Sequence, residues 1–202
     1  MTNEKIIFLY RHAETDMNIK DITMGQLKNI DTEFTNKGFE QISEISNNLL
    51  ENNIQIIFTS DFKRAYLTAV LANKERKIKI IKNKSFRGLN MGDYQGLHYN
   101  EFISNKEVIK SFQNHDLPFK NGESINHLNK RIISEIVNIC NNTKYDRIAI
   151  FSHSAAISNL KSFLLNEDYE SIKMCCLIYK NNELKVLSYV PIKYGEKKLI
   201  KL

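Results

Sequence analysis

An arginine and a histidine stand side by side at positions 11 and 12, a second arginine stands at 64 and a second histidine at 153. Guanidinium groups grip phosphate oxygens two at a time. A neutral imidazole can attack phosphorus and hold the phosphoryl group covalently, and a protonated one would offset the negative charge that gathers there. Singly, each residue has a plainer reading. A histidine at a strand end is commonly a hydrogen-bonded structural residue, and an arginine on a first helical turn is commonly a surface residue. Convergence would change that reading, because guanidinium groups buried near one point need an anion to pair them.

Whether they converge depends on the elements that present them. Residues 6–10 (IIFLY) are apolar throughout, the pattern of a strand covered on both faces, and Arg11-His12 follows directly. Residues 36–51 place Phe39, Ile42, Ile45 and Leu49 on one helical stripe. A strand at 54–58 leads to Thr59-Ser60-Asp61, and Asp61 is expected to cap a helix to about 73 with Tyr66, Leu67, Val70 and Leu71 inward. A short strand at 78–82 and a loop at 83–97 with Gly88, Gly92 and Gly96 come next, then a helical stretch over 98–113 and a break at 115–124. A long helix is predicted over 123–141, a strand over 147–151, a helix over 154–165, and a hairpin from 172–179 and 184–190 turning near Asn181-Asn182.

Strands alternating with helices imply a mostly parallel sheet with helices on both faces, and such sheets bind ligands beyond the carboxyl ends of their strands. Arg11-His12, Ser60 to Arg64, and Ser152-His153-Ser154 all follow strands. Both histidines and both arginines are therefore expected at one sheet edge, with the helix starting at Ser154 adding backbone N–H donors. The chemistry this describes is a phosphoryl pocket.

Composition restricts the partners. The 202 residues suit one domain, 1–202, and no apolar run is long enough to cross a bilayer. The formal charge of +6 is dispersed. Its densest groups, Lys74-Glu75-Arg76-Lys77 and Lys197-Lys198, are short and lack interleaved aromatics, which speaks against nucleic acid and for a solvated surface or a small anion. Cys140, Cys175 and Cys176 form no CxxC pair and read as reduced structural thiols. With no signal-peptide pattern after MTNEKII, the expected location is cytoplasmic.

Four blocks, in order, resemble the histidine phosphatase superfamily, in the branch that includes phosphoglycerate mutases and small phosphatases. They are Arg11-His12-Ala13-Glu14-Thr15 with Asn18, Ser60-Asp61-Phe62-Lys63-Arg64-Ala65, Gly122-Glu123-Ser124 with Arg131 downstream, and Ser152-His153-Ser154. The resemblance implies a three-layer α/β/α sandwich with a mostly parallel mixed sheet. It implies His12 as the phosphorylated nucleophile, Arg11, Arg64 and His153 as holders of the phosphoryl group, and Asn18, Thr15 and Ser154 as phosphate or substrate contacts. Loop hydrogen bonding is the plainer role for Asn18 and Thr15. No metal or cofactor is implied. The expected ligand is a small phosphate ester, with inorganic phosphate as product.

One position departs from the pattern. Members carry a glutamate that protonates the leaving oxygen, in a segment that here reads Phe86-Arg87-Gly88-Leu89-Asn90-Met91-Gly92-Asp93-Tyr94-Gln95-Gly96, with Gly88 at the acid position. General acid assistance is typically worth 10²–10⁴-fold. Three explanations compete: a substitute carboxyl from Asp93, Glu101 or Glu123; substrates that leave without help or with help from water; or a feeble enzyme that binds phosphoryl ligands. Ala13 and Ser154, where glycines are usual, are expected to narrow the pocket. The short interval between the second strand and the late histidine favours a phosphomonoesterase over a mutase. Loops 20–34 and 98–122 are expected to set specificity.

Overall fold

The computed structural model describes residues 4–27 and 32–192. Residues 28–31 of the first specificity loop, and Lys197-Lys198, lie outside them. Strand β1 (Lys5–Arg11) is followed by the short helix α1 (Asp16–Ile19) and by α2 (Asn36–Glu51). Then come β2 (Ile56–Thr59), α3 (Lys63–Ala72) and β3 (Ile80–Lys82). Helices α4 (Tyr99–Ser104), α5 (Lys106–Gln113) and α6 (Ile125–Asn142) precede β4 (Arg147–Ser152) and α7 (Ser154–Leu165). The hairpin β5 (Ile172–Lys180) and β6 (Glu183–Pro191) closes the series.

The six strands form one mixed sheet in the order β3-β2-β4-β1-β5-β6. The first four are parallel, and β5 runs antiparallel to both its neighbours, β1 and β6. Alternation divides the sheet between two apolar layers. Ile7 and Leu9 face a cluster with α6 and α7, while Phe8 and Tyr10 face one with α2 and α3. Cys175 and Cys176, adjacent on β5, fall on opposite faces, and all three cysteines are buried and free.

Four local expectations are corrected. In α3 the residues turned inward are Arg64, Ala65, Thr68, Ala69 and Ala72, while Leu71 is exposed. Small side chains let this helix lie close on the sheet, which sets the larger aliphatics to its flanks. Asp61 does not cap α3; Phe62 occupies that position, and Asp61 pairs with Arg87. Phe39 is exposed and packs edge-on to Phe34, and the buried stripe of α2 is Gly38, Ile42 and Leu49. Gly38 is required there, since a Cβ would stand 2.2 Å from the Glu14 carbonyl oxygen. The stretch 98–113 is two helices, because the Asn105 side chain accepts from the N–H groups of Glu107 and Val108 and starts α5 anew.

Candidate phosphoryl site

Parallel register brings three strand ends level. Arg11 pairs with Ser152 and Thr59 with Phe151, so the residues that follow each strand leave the sheet together. Two backbone bonds prolong the alignment: His12 N–H to the Ser152 carbonyl (3.0 Å) and Ser60 N–H to the Phe151 carbonyl (2.8 Å). Thr68 on α3 fixes the next shell. Its hydroxyl oxygen accepts from Ala13 N–H (3.1 Å) and the hydroxyl donates to the Arg64 carbonyl (2.7 Å), tying the His12 turn to the helix that bears Arg64.

His12 and His153 stand 5.4 Å apart between ring centroids, edge to face, and both are buried together with Arg64. The hydrogen bonds assign each ring a role. His12 Nδ1 lies 2.8 Å from the Ala13 carbonyl oxygen, which only accepts, so Nδ1 carries the hydrogen and Nε2 keeps its lone pair. His153 Nε2 lies 2.9 Å from Ser60 Oγ. That oxygen already accepts from Phe62 N–H, and the Ser60 hydroxyl hydrogen has no other acceptor among the described residues. The hydroxyl therefore donates to His153 Nε2, and the ring hydrogen falls on Nδ1. Nδ1 of His153 is buried with no protein partner, as are Nε of Arg11 and Nε of Arg64. Unpaired buried donors of this kind are rare and need a ligand or water.

The electrostatics agree with a site built for an anion. Burial first, then the charges of Arg64 and Arg11, hold His12 well below its ordinary value. Burial, then Arg64 and His12, do the same for His153. Both rings are neutral at pH 7. His153 therefore presents a neutral N–H donor here, rather than the imidazolium considered from sequence. Burial, then Arg11, pushes Arg64 down to about 10, so it remains charged. One Arg64 nitrogen donates to the Gly25 carbonyl (2.8 Å), which anchors the first loop to the site. Helix α7 starts immediately after His153, so its positive end opens at the same edge.

Gly88 does reach this site. A Cβ there would lie 3.3 Å from both Cβ and Cγ of the His153 side chain. The three expected substitute acids are paired elsewhere or exposed. Glu123 is buried and spent: it pairs with Arg131 Nη2 (2.7 Å) and Nε (2.9 Å) and accepts from Asn90 N–H (2.8 Å). Asp93 pairs with Lys120 and Asn121 at the surface. Glu101 is exposed on α4 and does not line the cleft beside Gly88.

Thr15 and Asn18 bond to each other. Asn18 Oδ1 accepts from the Thr15 N–H and hydroxyl, closing a cap on α1. Ser154 is the first residue of α7, half-buried. Ala13 does not narrow the pocket, because its methyl is buried in the apolar layer with Tyr10 and Ala69.

Several contributors were not singled out from sequence. Ser60 orients His153. Arg131 donates to the carbonyls of Ser85, Arg87 and Gly88, so it and Glu123 hold the loop beside the site. An open cleft of about 610 Å³ adjoins Gly88, lined by Gln26, Leu27, Arg87, Asn90 and Gln95. The first wall comes from the loop 20–34 and the second from residues 87–95. Among the described residues no helix is long and apolar enough to cross a membrane, and no cluster of His, Cys, Asp and Glu could hold a metal.

The pattern described as the histidine phosphatase superfamily (branch 1) matches residues 7–198. Phosphoglycerate mutase-like protein 4 of Arabidopsis thaliana is 31% identical over 161 residues, covering 76% of this chain and 68% of its own. A broad-specificity phosphatase of Saccharomyces cerevisiae is 26% identical, covering 91% of this chain and 79% of its own. The fold is shared with phosphoserine phosphatase of Entamoeba histolytica, solved with phosphoserine. That match has a TM-score of 0.77 at 22% identity over 92% of this chain and 96% of that one.

Proposed function

Because this chain belongs to branch 1 of the histidine phosphatase superfamily, we propose that it is a phosphomonoesterase that hydrolyses a small phosphate ester through phosphohistidine at His12. The observation that supports this most directly is the Nδ1 bond to Ala13, which leaves His12 Nε2 bare in a buried basic pocket. The Nε2 lone pair attacks phosphorus as the ester oxygen departs. Arg11, Arg64 and His153 Nδ1 hold the phosphoryl oxygens, and three preset donors stabilise the charge that develops on them. Water then attacks phosphorus, and neutral His12 leaves. The whole chain acts as one catalytic domain, and the working groups are side chains and backbone N–H groups.

The test is to mix the protein with labelled phenyl phosphate, quench in base and look for acid-labile phosphate on His12. The parent should carry label and release phosphate, and His12→Ala should do neither. Release without label on His12 would overturn the covalent route.

Gly88 favours a second reading, a phosphoryl-binding protein of little activity on the same fold. Phosphate or vanadate would then raise the thermal midpoint, and Arg64→Ala would abolish the rise, with no ester turned over.

A further inference from the structure

Two features meet beside Gly88: among the described residues no carboxyl at the site is free to donate a proton, and the adjoining cleft is lined largely by neutral amides. We propose that the cleft takes the sugar of a glycosyl phosphate, a sugar phosphorylated on its anomeric oxygen. This deepens, and rests on, the phosphohistidine reading.

The first feature constrains the leaving group. Glu14 is held by the Thr35 hydroxyl and Lys37, Asp61 by Arg87, and Glu123 by Arg131. Each of these three carboxylates thus faces a cation, and the glutamate position of the family is Gly88. The departing oxygen must leave as an anion and take its proton from water. An anomeric oxygen does this more readily than any other sugar oxygen, because the ring oxygen on the same carbon withdraws electron density.

The second feature constrains what is attached to that oxygen. The cleft exposes Gln26, Asn90 and Gln95 with Leu27 and Arg87. Each amide uses one end to hold the loops. Gln26 Nε2 donates to the Gly88 carbonyl (2.8 Å), Gln95 Oε1 accepts from Gln26 N–H, and Asn90 Oδ1 accepts from Gly92 N–H. The other ends, Gln26 Oε1, Gln95 Nε2 and Asn90 Nδ2, have no protein partner among the described residues. Arg87 Nη1 is likewise unused, while Nε and Nη2 are spent on Asp61. The guanidinium charge is cancelled by a carboxylate that the same contact keeps ionised.

Among the described residues the wall therefore offers three donors and one acceptor with no net charge. Hydroxyl groups, which both donate and accept, fit it. A carboxylate would meet Gln26 Oε1 with no uncancelled cation among the described lining residues. An aryl group would find only Leu27, since no ring lines the cleft. The volume lies in the range of small-ligand sites.

The balance is simple. The N–P bond forms at His12 Nε2, and the bond from phosphorus to the anomeric oxygen breaks with its electron pair on oxygen. Water protonates that oxygen, and the resulting hydroxide, or a second water, cleaves the N–P bond. The sum is ester plus water giving free sugar and phosphate.

The decisive pair is glucose 1-phosphate and glucose 6-phosphate, equal in composition and charge. In the parent, kcat/KM should favour the 1-phosphate by about 10², the lower end of what a general acid supplies. In His12→Ala, which leaves the esters intact, calorimetry should show both binding more tightly than O-phosphoserine. Gln95→Met should lower the affinity of glucose 1-phosphate relative to inorganic phosphate about tenfold, and Asn90→Leu should do the same if Gln95→Met does not fold. Equal turnover of the two isomers would overturn the proposal by revealing a proton donor. Tighter binding of phosphoserine, or an unchanged affinity ratio in the folded variants, would overturn it at the cleft. Label trapped on His12 from phenyl phosphate decides the parent reading separately. Without that label and without turnover, the covalent reading fails and this proposal falls with it.

Discussion

The two ends of the site are built on opposite principles. At the phosphoryl end, Arg11 and Arg64 face two neutral imidazoles with no carboxylate between them, and three buried donors lack protein partners. At the proposed leaving-group end the charges among the described residues are cancelled, Arg87 by Asp61 and Arg131 by Glu123, and most of the free groups are amides. Gly88 is the seam, close to His153 on one side and held by Gln26 and Arg131 on the other. The difference teaches where binding energy and selectivity reside. On the proposed reading, the end with uncompensated positive charge holds the phosphate, and the end with balanced charge discriminates by hydrogen-bond pattern.

The largest effect should come from breaking the balance at the neutral end. Glu123→Ala removes the partner of Arg131, leaving a mostly buried guanidinium without its anion and Asn90 N–H without its acceptor. Unpairing a buried ion pair costs about 3–5 kcal/mol. Arg131 keeps its three carbonyl acceptors and is 18% exposed, so about 3 kcal/mol is expected. Urea unfolding would measure it. Inorganic phosphate should still raise the thermal midpoint of the variant, because the phosphoryl end is built on the strands. A variant that loses the phosphate response while keeping parental stability would erase the distinction between the two ends.

A middle-sized effect belongs to the phosphoryl end alone. His12 and His153 are held well below the ordinary histidine value of 6.5, mainly by burial. Below that value the unfolded chain takes up two protons that the native site refuses. The stability these two rings contribute is therefore fully present above about pH 6.5 and is lost as pH drops, by up to about 1.4 kcal/mol per unit for each ring. The two together give up to about 2.7 kcal/mol per unit. Urea midpoints between pH 6.5 and 5 should fall steeply in the parent and much less in the double variant His12→Asn/His153→Asn. Equal slopes would mean that the imidazoles are not the neutral partners of the arginines.

The phosphoryl end was far more legible in the sequence than the cleft, for a physical reason. Strand ends obey a simple rule: parallel strands deliver the residues that follow them to one edge, so Arg11, His12, Arg64 and His153 could be grouped without a structure. The cleft has no such rule. Gln26 meets Gly88 across 62 positions, and Gln95 meets Gln26 across 69. Neither residue type advertises a role. The helical errors were local ones. The inward face of α3 was assigned to large aliphatics because hydrophobicity ranks Leu71 above Ala72, whereas close packing on a sheet favours the smaller residue. Asp61 has a favoured capping type, but a guanidinium 26 positions away competes more strongly for its carboxylate. The break at Asn105 was signalled by the residue itself, an N-cap type followed by Lys106-Glu107, and was passed over within a longer apolar period.

The smallest effect isolates one hydrogen atom. Ser60 was quoted in sequence as part of a motif, yet its contact with His153 spans 93 positions. By donating to Nε2 it fixes the ring hydrogen on Nδ1, the nitrogen that has no protein partner. Without the hydroxyl the ring populates both tautomers, and one of them turns a lone pair toward the phosphoryl oxygens. Ser60→Ala should therefore lower kcat about tenfold, the scale of one hydrogen bond, with little change in KM for phenyl phosphate. Ser60→Thr keeps a hydroxyl and should recover most of the rate. A packing defect would also slow the enzyme, so the deciding measurement is the nitrogen NMR spectrum of the histidine rings. The parent should show His153 protonated on Nδ1 and bare on Nε2, and Ser60→Ala should show a mixture, while His12 keeps its Nδ1 hydrogen on the Ala13 carbonyl in both. A His153 tautomer that ignores Ser60 would mean that the donor at the basic end is set by the phosphate itself, and the preset character claimed for that end would be lost.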